Sequence, residues 1–165
     1  MPMLSELGEY KRKIINLFMN DQELVDLVSC KDNYPLPANN LIGKNFYMYD
    51  YIDETVKDQL CLVCIEIDES NFINPQARYF DLHIYVAVHK KLMEYTDKNG
   101  KSAIRRDAIC ARIDALLNGR TDLGFGKVEA AYGGRIVFAD DFRAKDIHYR
   151  LKGWNLRGEA LDRTE

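Results

Sequence analysis

The chain has 165 residues, 47% of them hydrophobic, which is enough to bury one core of ordinary size and predicts a single domain. Acidic and basic side chains nearly balance, with a formal net charge of -3, so we expect no basic field for nucleic-acid binding and no sequence-specific nucleic-acid partner. No apolar run reaches the roughly 18 to 20 residues that cross a bilayer, and the N-terminus lacks the order of a signal peptide, so no membrane partner is expected.

Two helices are predicted at the start of the chain. Apolar residues recur at helical spacing over Ser5 to Met19, and Asn20 followed by Glu23 fits a capping box that begins a second, shorter helix. The basic triplet Lys11-Arg12-Lys13 lies mostly off the apolar side of the first helix. It is interpreted as a solvated helix surface, with contact to an acidic surface on a partner as the alternative.

The stretch from Cys30 to Asp58 has no regular period and is interrupted by proline, glycine and an Asn-Asn pair. One interpretation is a short strand over Asn45 to Tyr51 whose aromatic side chains pack on the same domain. The other is a loop that reaches a neighbouring subunit, because long connections in compact domains often serve a partner. The residues that this second interpretation nominates for contact are Phe46, Tyr47, Tyr49 and Tyr51.

Two strands are predicted in the middle of the chain. Leu60 to Ile67 is nearly continuously apolar, as in a strand covered on both faces, whereas Phe80 to His89 alternates between apolar and polar or small residues. The connection Asp68 to Ala77 lets the two pair antiparallel. The polar positions of the second strand are expected to face solvent without converging into a site.

Neither cysteine nor histidine spacing predicts a metal site here. Cys61 and Cys64 fall on a strand, where residues three apart point to opposite faces, so they are interpreted as reduced core residues. His83 and His89 share one face but lie about 20 Å apart along an extended strand, too far to bind one ion. We therefore predict no catalytic, cofactor-binding or metal-ligating residues and no cofactor.

A turn and a helix follow. Asp97-Lys98-Asn99-Gly100 is a strong turn signal, Ser102 is placed to cap a helix, and Gly119 is suited to end it in a left-handed conformation. The predicted buried stripe of this helix consists of Ile109, Ile113, Leu116 and Leu117.

The remaining chain returns to strands and ends in a polar tail. The predicted strands are Val128 to Tyr132, Arg135 to Ala139 and Arg143 to Trp154, with a turn or bulge at Gly133-Gly134. The tail Asn155 to Glu165 has too few apolar residues to fold alone. These elements predict one α+β domain over residues 1–154, an antiparallel sheet packed against the N-terminal helical pair and one central amphipathic helix, followed by the tail at 155–165.

The order of these elements resembles the tail-terminator or tail-completion proteins of tailed bacteriophages and phage-derived contractile particles. The resemblance rests on the strand Phe80 to Val86, the helix Arg105 to Leu117 and the closing segment Phe138 to Arg143. It implies a structural, non-enzymatic subunit of a ring, typically hexameric, that caps the tail tube. The implied partners are further copies of the chain, the tail tube protein and a neck or head-tail connector protein, with the sheath protein as an optional neighbour. The implied location is the virion tail or neck, after synthesis in the bacterial host cytoplasm.

Contacts within such a ring are expected at exposed loops, where partner binding usually resides. Besides the aromatic stretch, the candidates are the turn Glu94 to Lys101 and the polar tail. Their nominated side chains are Tyr95, Lys98, Asn99, Arg157 and Arg163.

Two alternatives remain open from the sequence. A head-tail connector or stopper protein is the first, because no residue in the sequence distinguishes that role from the role of a terminator. A metal-dependent nuclease would need clustered carboxylates for divalent cations, and Glu66, Asp68 and Asp81 are the candidates. These acids are more simply interpreted as solvent-facing or strand-end residues.

Overall fold

The computed structural model describes residues 7–30, 41–49, 51, 58–74, 77–124, 126–136 and 139–154. Within these ranges only the backbone is described at 69–74, 77, 78, 132 and 152–154. The elements in chain order are α1 (Leu7–Met19), α2 (Gln22–Val28), β1 (Phe46–Tyr47), β2 (Cys61–Asn74), β3 (Ala77–His89), β4 (Glu94–Thr96), β5 (Ser102–Ile104), α3 (Arg105–Leu117), β6 (Val128–Ile136) and β7 (Phe142–Trp154).

One five-stranded sheet organises the fold, with strand order β1-β2-β3-β7-β6. β1 runs parallel to β2, and the other three pairs are antiparallel. β4 and β5 form a separate hairpin. The predicted α+β class with a mainly antiparallel sheet is confirmed.

The three helices pack on the same side of the sheet, which we call the helix face. Alternate strand residues such as Val63, Ile84 and Tyr149 join Phe18 and Ile113 of the helices in one fully buried cluster. Period-two alternation in the strands and period-3.6 spacing in the helices therefore direct their apolar sides to a common layer. The opposite side of the sheet is called the open face below.

The cysteines behave as the strand period predicts. Cys61 faces the helices, with its sulfur 3.5 Å from that of Cys30, whereas Cys64 lies on the open face. All four cysteines are buried, and no disulfide joins any two of them. The Cys-x-x-Cys spacing therefore brings no two sulfurs together.

The cap of α2 differs from the expectation. Asp21, not Asn20, is the N-cap, and its carboxylate accepts a hydrogen bond from the Leu24 amide at 2.9 Å. The amide of Asn20 donates to Asn16 at the end of α1. Asn20, which the sequence pattern predicts as the cap of α2, is therefore bonded to the end of α1.

The start of α3 also differs. The predicted turn is confirmed, since the Asp97 carboxylate accepts from the amides of Asn99 and Lys101. Ser102, however, pairs in the β4–β5 hairpin, and Ile104 precedes the helix without a side-chain cap. The first helical amide, that of Arg105, donates to the carbonyl of Met93 at 2.7 Å. The hairpin therefore supplies the partner that a serine cap was expected to give.

The strands at the end of the chain are more continuous than predicted. β6 is one strand through Gly133-Gly134, which pair with Ile147 and Asp146, and its bulge lies between Ala130 and Tyr132. β2 and β3 likewise extend through most of the predicted connection 68–77. No helix in the described ranges has the length and apolar character needed to cross a membrane.

Candidate functional site

The open face has an apolar end built by strand register. Leu62, Ala87 and Ala144 lie side by side on β2, β3 and β7, and with Phe142 they form a second buried cluster. Tyr47 and Tyr51 pack against this cluster from the β1 side. No described helix covers it, because all three helices contribute to the other core.

Three tyrosines form a compact aromatic group at this end, here called the tyrosine cluster. The rings of Tyr47 and Tyr51 are stacked, with centroids 4.3 Å apart, and Tyr49 meets both edge-on. The Tyr47 hydroxyl donates to the carbonyl of Gly43 at 3.0 Å, and burial raises the pKa of Tyr47. Tyr49 remains 53% exposed. A rigid aromatic with a polar tip suits a protein contact, since tyrosine is enriched in the cores of interfaces.

Phe46 does not share this surface. It lies on the helix face beside Val63, is completely buried, and tilts against Phe18 at 6.3 Å between ring centroids. The interface nomination of Phe46 is therefore corrected to a core role, since strand alternation places neighbouring side chains on opposite faces. The interpretation of Asn45 to Tyr51 as a short strand holds for Phe46–Tyr47. Tyr49 lies beyond this strand, and its side chain is exposed.

The nominated turn residues lie on the helix side, in a groove of about 920 Å³ between α2, α3 and the β4–β5 hairpin. Tyr95, Lys98 and Asn99 line one wall, and the alanines of α3 line the floor. Lys98 pairs loosely with Glu23 across the groove at 3.9 Å. The structure thus separates the nominated residues into two surfaces on opposite sides of the sheet.

Arg105 anchors this groove, a role that the sequence analysis missed. The side chain is 1% exposed, and it donates to the carbonyls of Leu92 and Leu27 while its guanidinium lies 4.7 Å from the centre of the Tyr95 ring. A buried arginine is stabilised only when its donors find acceptors, which these carbonyls provide. Nothing in the local sequence distinguishes it from the exposed arginines of the same helix.

The polar end of the open face contains a cluster that the sequence analysis did not expect. His83 and His148 pair across β3 and β7 with their rings stacked at 4.5 Å between centroids. His83 Nδ1 lies 2.9 Å from Asp146 Oδ2, and His148 Nε2 lies 2.9 Å from Asp81 Oδ1. The expectation that these polar positions do not converge is therefore wrong. We call these four residues the histidine–aspartate cluster.

A sequence signal for this cluster exists. Asp81-Leu82-His83 and Asp146-Ile147-His148 repeat the same Asp-x-His spacing on two alternating strands. Antiparallel pairing in the right register brings two such faces together. The register itself, with His83 opposite His148, is decided by the fold.

The candidate nuclease carboxylates do not form a shared cation site. Glu66 pairs with Lys11 and accepts from the Ile67 amide. Asp68 lies 4.0 Å from His83, and Asp81 lies against His148. Among the described residues, no group of three or more histidine, cysteine or acidic side chains is arranged to bind a metal ion.

Other nominated residues lie outside the described ranges. These are Arg157 and Arg163, together with the rest of the tail at 155–165. Parts of the connection Cys30 to Asp58, at 31–40, 50 and 52–57, also lie outside those ranges. The assignment of the tail to partner contact stays a prediction.

Comparison with known proteins identifies a family. The family described as YomW matches residues 21–151, which is most of the 165-residue chain. The chain belongs to the YomW family. This family is phage-derived. The match spans α2, α3, β1 to β6 and β7 as far as Leu151, so it includes both surfaces.

Other comparisons add little. No curated protein matches the sequence. Among solved structures, the chain is similar to one from the "Virion of native gene transfer agent (GTA) particle", with a TM-score of 0.49 and 11% sequence identity. The similarity covers 86% of this chain and 91% of that one.

Proposed function

We propose that this protein is a structural subunit of a phage-type virion and that it acts as a tail terminator or completion protein. In this role it assembles as a ring, hexameric by the stated resemblance, that caps the tail tube and joins it to the neck or head connector. Membership of a phage-derived family supports the virion role. The terminator role is supported by the resemblance of the chain from Phe80 to Arg143.

The observation that contributes most to this proposal is the tyrosine cluster on a sheet face that no described helix covers. In this proposal the docking surface is the sheet face that no described helix covers, with half-exposed Tyr49 at its apolar end. Surfaces of this kind commonly mark protein contacts. In such a ring the subunits contact one another head-to-tail. Each subunit therefore uses one surface towards one neighbour and a different surface towards the other neighbour.

A nuclease function is less well supported by the same contacts. The candidate carboxylates lie beside cationic or histidine side chains, Glu66 with Lys11 and Asp81 with His148 and Arg150. Metal-dependent phosphoryl transfer needs carboxylates that are free to hold the cation.

Assembly of the purified protein tests the proposal. Mass photometry and negative-stain images are recorded for the protein alone and with the tail tube protein of its particle. We expect closed rings, or rings on tube ends, and we expect Tyr49→Ser to raise the protein concentration of half-assembly by roughly tenfold, as for loss of a moderate interface residue.

The control is Asp122→Ser, since Asp122 is exposed in the connection between α3 and β6 and belongs to neither nominated contact surface. It should assemble like the unchanged protein. A protein that stays monomeric at micromolar concentration even with the tube protein present contradicts the proposal.

A further inference from the structure

Two cysteines from different elements meet in the core of the subunit. Cys30 follows the C-cap of α2 and Cys61 begins β2, 31 positions later in the chain. Their sulfurs lie 3.5 Å apart, and the two residues are 3% and 0% exposed. A disulfide bond is about 2.05 Å long, so the sulfurs need to approach each other by only about 1.5 Å to form one.

The backbone at Cys30 is unusual as well. Cys30 has a φ of 53°, and it is the only non-glycine residue with a positive φ in the part of the chain that the structure describes. The left-handed region is unfavourable for a residue with a Cβ atom, so such a residue persists only where its surroundings hold it. The surroundings of the Cys30 sulfur are Cys61 and the carbonyls of Leu27 and Val28, at 3.9 and 3.8 Å. A thiol is a weak hydrogen-bond donor, so loss of these two contacts costs little if the sulfur enters a disulfide.

A disulfide at this position would close the connection that presents the tyrosine cluster. β1 and the tyrosines Tyr47, Tyr49 and Tyr51 all lie between Cys30 and Cys61 in the chain. A cross-link between residues 31 positions apart removes conformational freedom from the unfolded chain and so favours the folded one. It would also tie the end of α2 to the start of β2, the two elements between which the connection runs.

We propose that Cys30 and Cys61 are kept as thiols during synthesis and form a disulfide once the virion leaves the reducing cytosol. Thiols stay reduced in the cytosol, whereas virion surfaces are an oxidising environment. The occasion for oxidation rests on the proposed virion role, and the bond itself rests on the geometry of one subunit.

A peroxide is a sufficient oxidant for this step. Hydrogen peroxide converts the Cys30 thiol to a sulfenic acid and releases one water, and the Cys61 thiol then attacks this sulfur and releases a second water as the S–S bond forms. Two thiols thus lose two electrons, and the peroxide is reduced to water. Cys30 follows a helix of seven residues, and local opening at the end of so short a helix admits a small oxidant.

The isolated subunit tests the disulfide without any assembly. The purified protein is incubated with a small excess of hydrogen peroxide or with a thiol reductant, and its cysteines are then alkylated in denaturant and mapped by peptide mass spectrometry. After oxidation we expect alkylation of only two of the four cysteines, and a linked peptide that joins Cys30 to Cys61. The thermal midpoint should rise by about 5 to 10 °C on oxidation and fall back on reduction.

Two variants on the same strand make the test specific. Cys61→Ala should abolish both the linked peptide and the rise in the thermal midpoint. Cys64→Ala, three positions later and on the opposite face of β2, is the matched control and should keep both. Each variant is compared with itself, oxidised against reduced, so a general loss of stability from either substitution does not affect the result.

The outcomes separate this disulfide from the proposed function. Further oxidation of Cys30 or Cys61 without a linked peptide overturns the disulfide, as does a link that involves Cys64 or Cys110 instead. A link that leaves the thermal midpoint unchanged or lowers it also overturns it, because the native fold would then not accommodate the bond. Absence of rings from the unchanged protein overturns the proposed function and leaves the disulfide standing, since the bond is measured on the isolated subunit.

Discussion

At the scale of single residues, two arginines of α3 attach α2 to the rest of the molecule. Arg112 forms a two-pronged contact with the carboxylate of Asp21, which also caps α2. Arg105 donates to the carbonyl of Leu27 near the end of the same helix. The seven-residue α2 is too short to be stable alone and depends on these contacts at its two ends.

The pH dependence of stability should report the Asp21 contact. Hydrogen bonding to Arg112 lowers the pKa of Asp21, so the ionised carboxylate stabilises the folded state. Its contribution is fully present above the ordinary aspartate range, near pH 4, and is lost as pH falls through the lowered pKa. Asp21→Asn keeps a good cap but removes the charge, and it should cost about 1 kcal/mol at pH 7, since Arg112 is partly exposed.

Urea unfolding from pH 7 to pH 2 measures this difference. The gap between the unchanged protein and Asp21→Asn should close as the pH drops below about 4. Glu94→Gln, at an exposed strand position, serves as a control in which an acidic side chain is removed from the surface. A gap for Asp21→Asn that persists undiminished at pH 2 would show that the charge is not the stabilising element.

Two further buried groups are held in their neutral forms. Burial raises the pKa of Cys110 to about 11, and burial together with the hydrogen bond to Asp114 raises the pKa of Tyr149. The Tyr149 hydroxyl donates to Asp114 Oδ1 at 3.0 Å and so joins β7 to α3. Both groups are therefore structural at neutral pH, because neither is poised to ionise.

At the scale of elements, α3 is the helix whose burial the sequence describes best. Ile109, Ile113 and Leu117 are completely buried, whereas Leu116 is half-buried at the margin of the core. The predicted stripe is therefore confirmed at three positions and is peripheral at the fourth. The 3.6-residue period explains this, since positions 109, 113 and 117 lie on one line along the helix.

This difference predicts unequal costs of truncation. Ile113→Ala should lower the free energy of unfolding by about 2 to 5 kcal/mol, because a completely buried side chain leaves a cavity. Leu116→Ala should cost less than about 1.5 kcal/mol, since part of that side chain is already in water. Equilibrium urea unfolding with equal slopes for both variants provides the measurement. Equal costs would place the two residues in the same environment, against the structure.

At the scale of the whole molecule, the described helices all pack on one face of the sheet. The helices cover one face, and the other is divided into an apolar end with the tyrosine cluster and a polar end with the histidine–aspartate cluster. At the sheet margins, β6 is an outer strand and β1 covers β2 only at Val63 and Cys64. Exposed strand edges invite pairing with another chain, which a closed ring would limit.

The polar tail should serve assembly and not folding. Deleting Arg157 to Glu165 is expected to leave the thermal melt of the subunit within about 2 °C of the unchanged protein, because a segment with few apolar residues adds little core. Ring formation or docking to the neck should weaken in mass photometry. A truncated chain that melts much lower, yet assembles normally when folded, would assign the tail to the subunit's own core.

The sequence by itself determined the local features of this protein. Helical and strand periods located the main elements, Asp97 marked its turn, and Gly119 occupies the left-handed conformation expected after a helix, with φ of 80°. The opposite orientations of Cys61 and Cys64 followed from strand alternation alone. These features depend on neighbours within a few residues, so a single sequence contains the information for them.

Only the tertiary structure decided what meets across the fold. His83 is 65 positions from His148, and their contact requires β3 and β7 to be neighbours in one particular register. The same dependence buries Phe46 against Phe18, encloses Arg105 between α2 and the β4–β5 hairpin, and pairs Arg112 with Asp21. Register and layer order are set by the packing of the whole core, which no local pattern encodes.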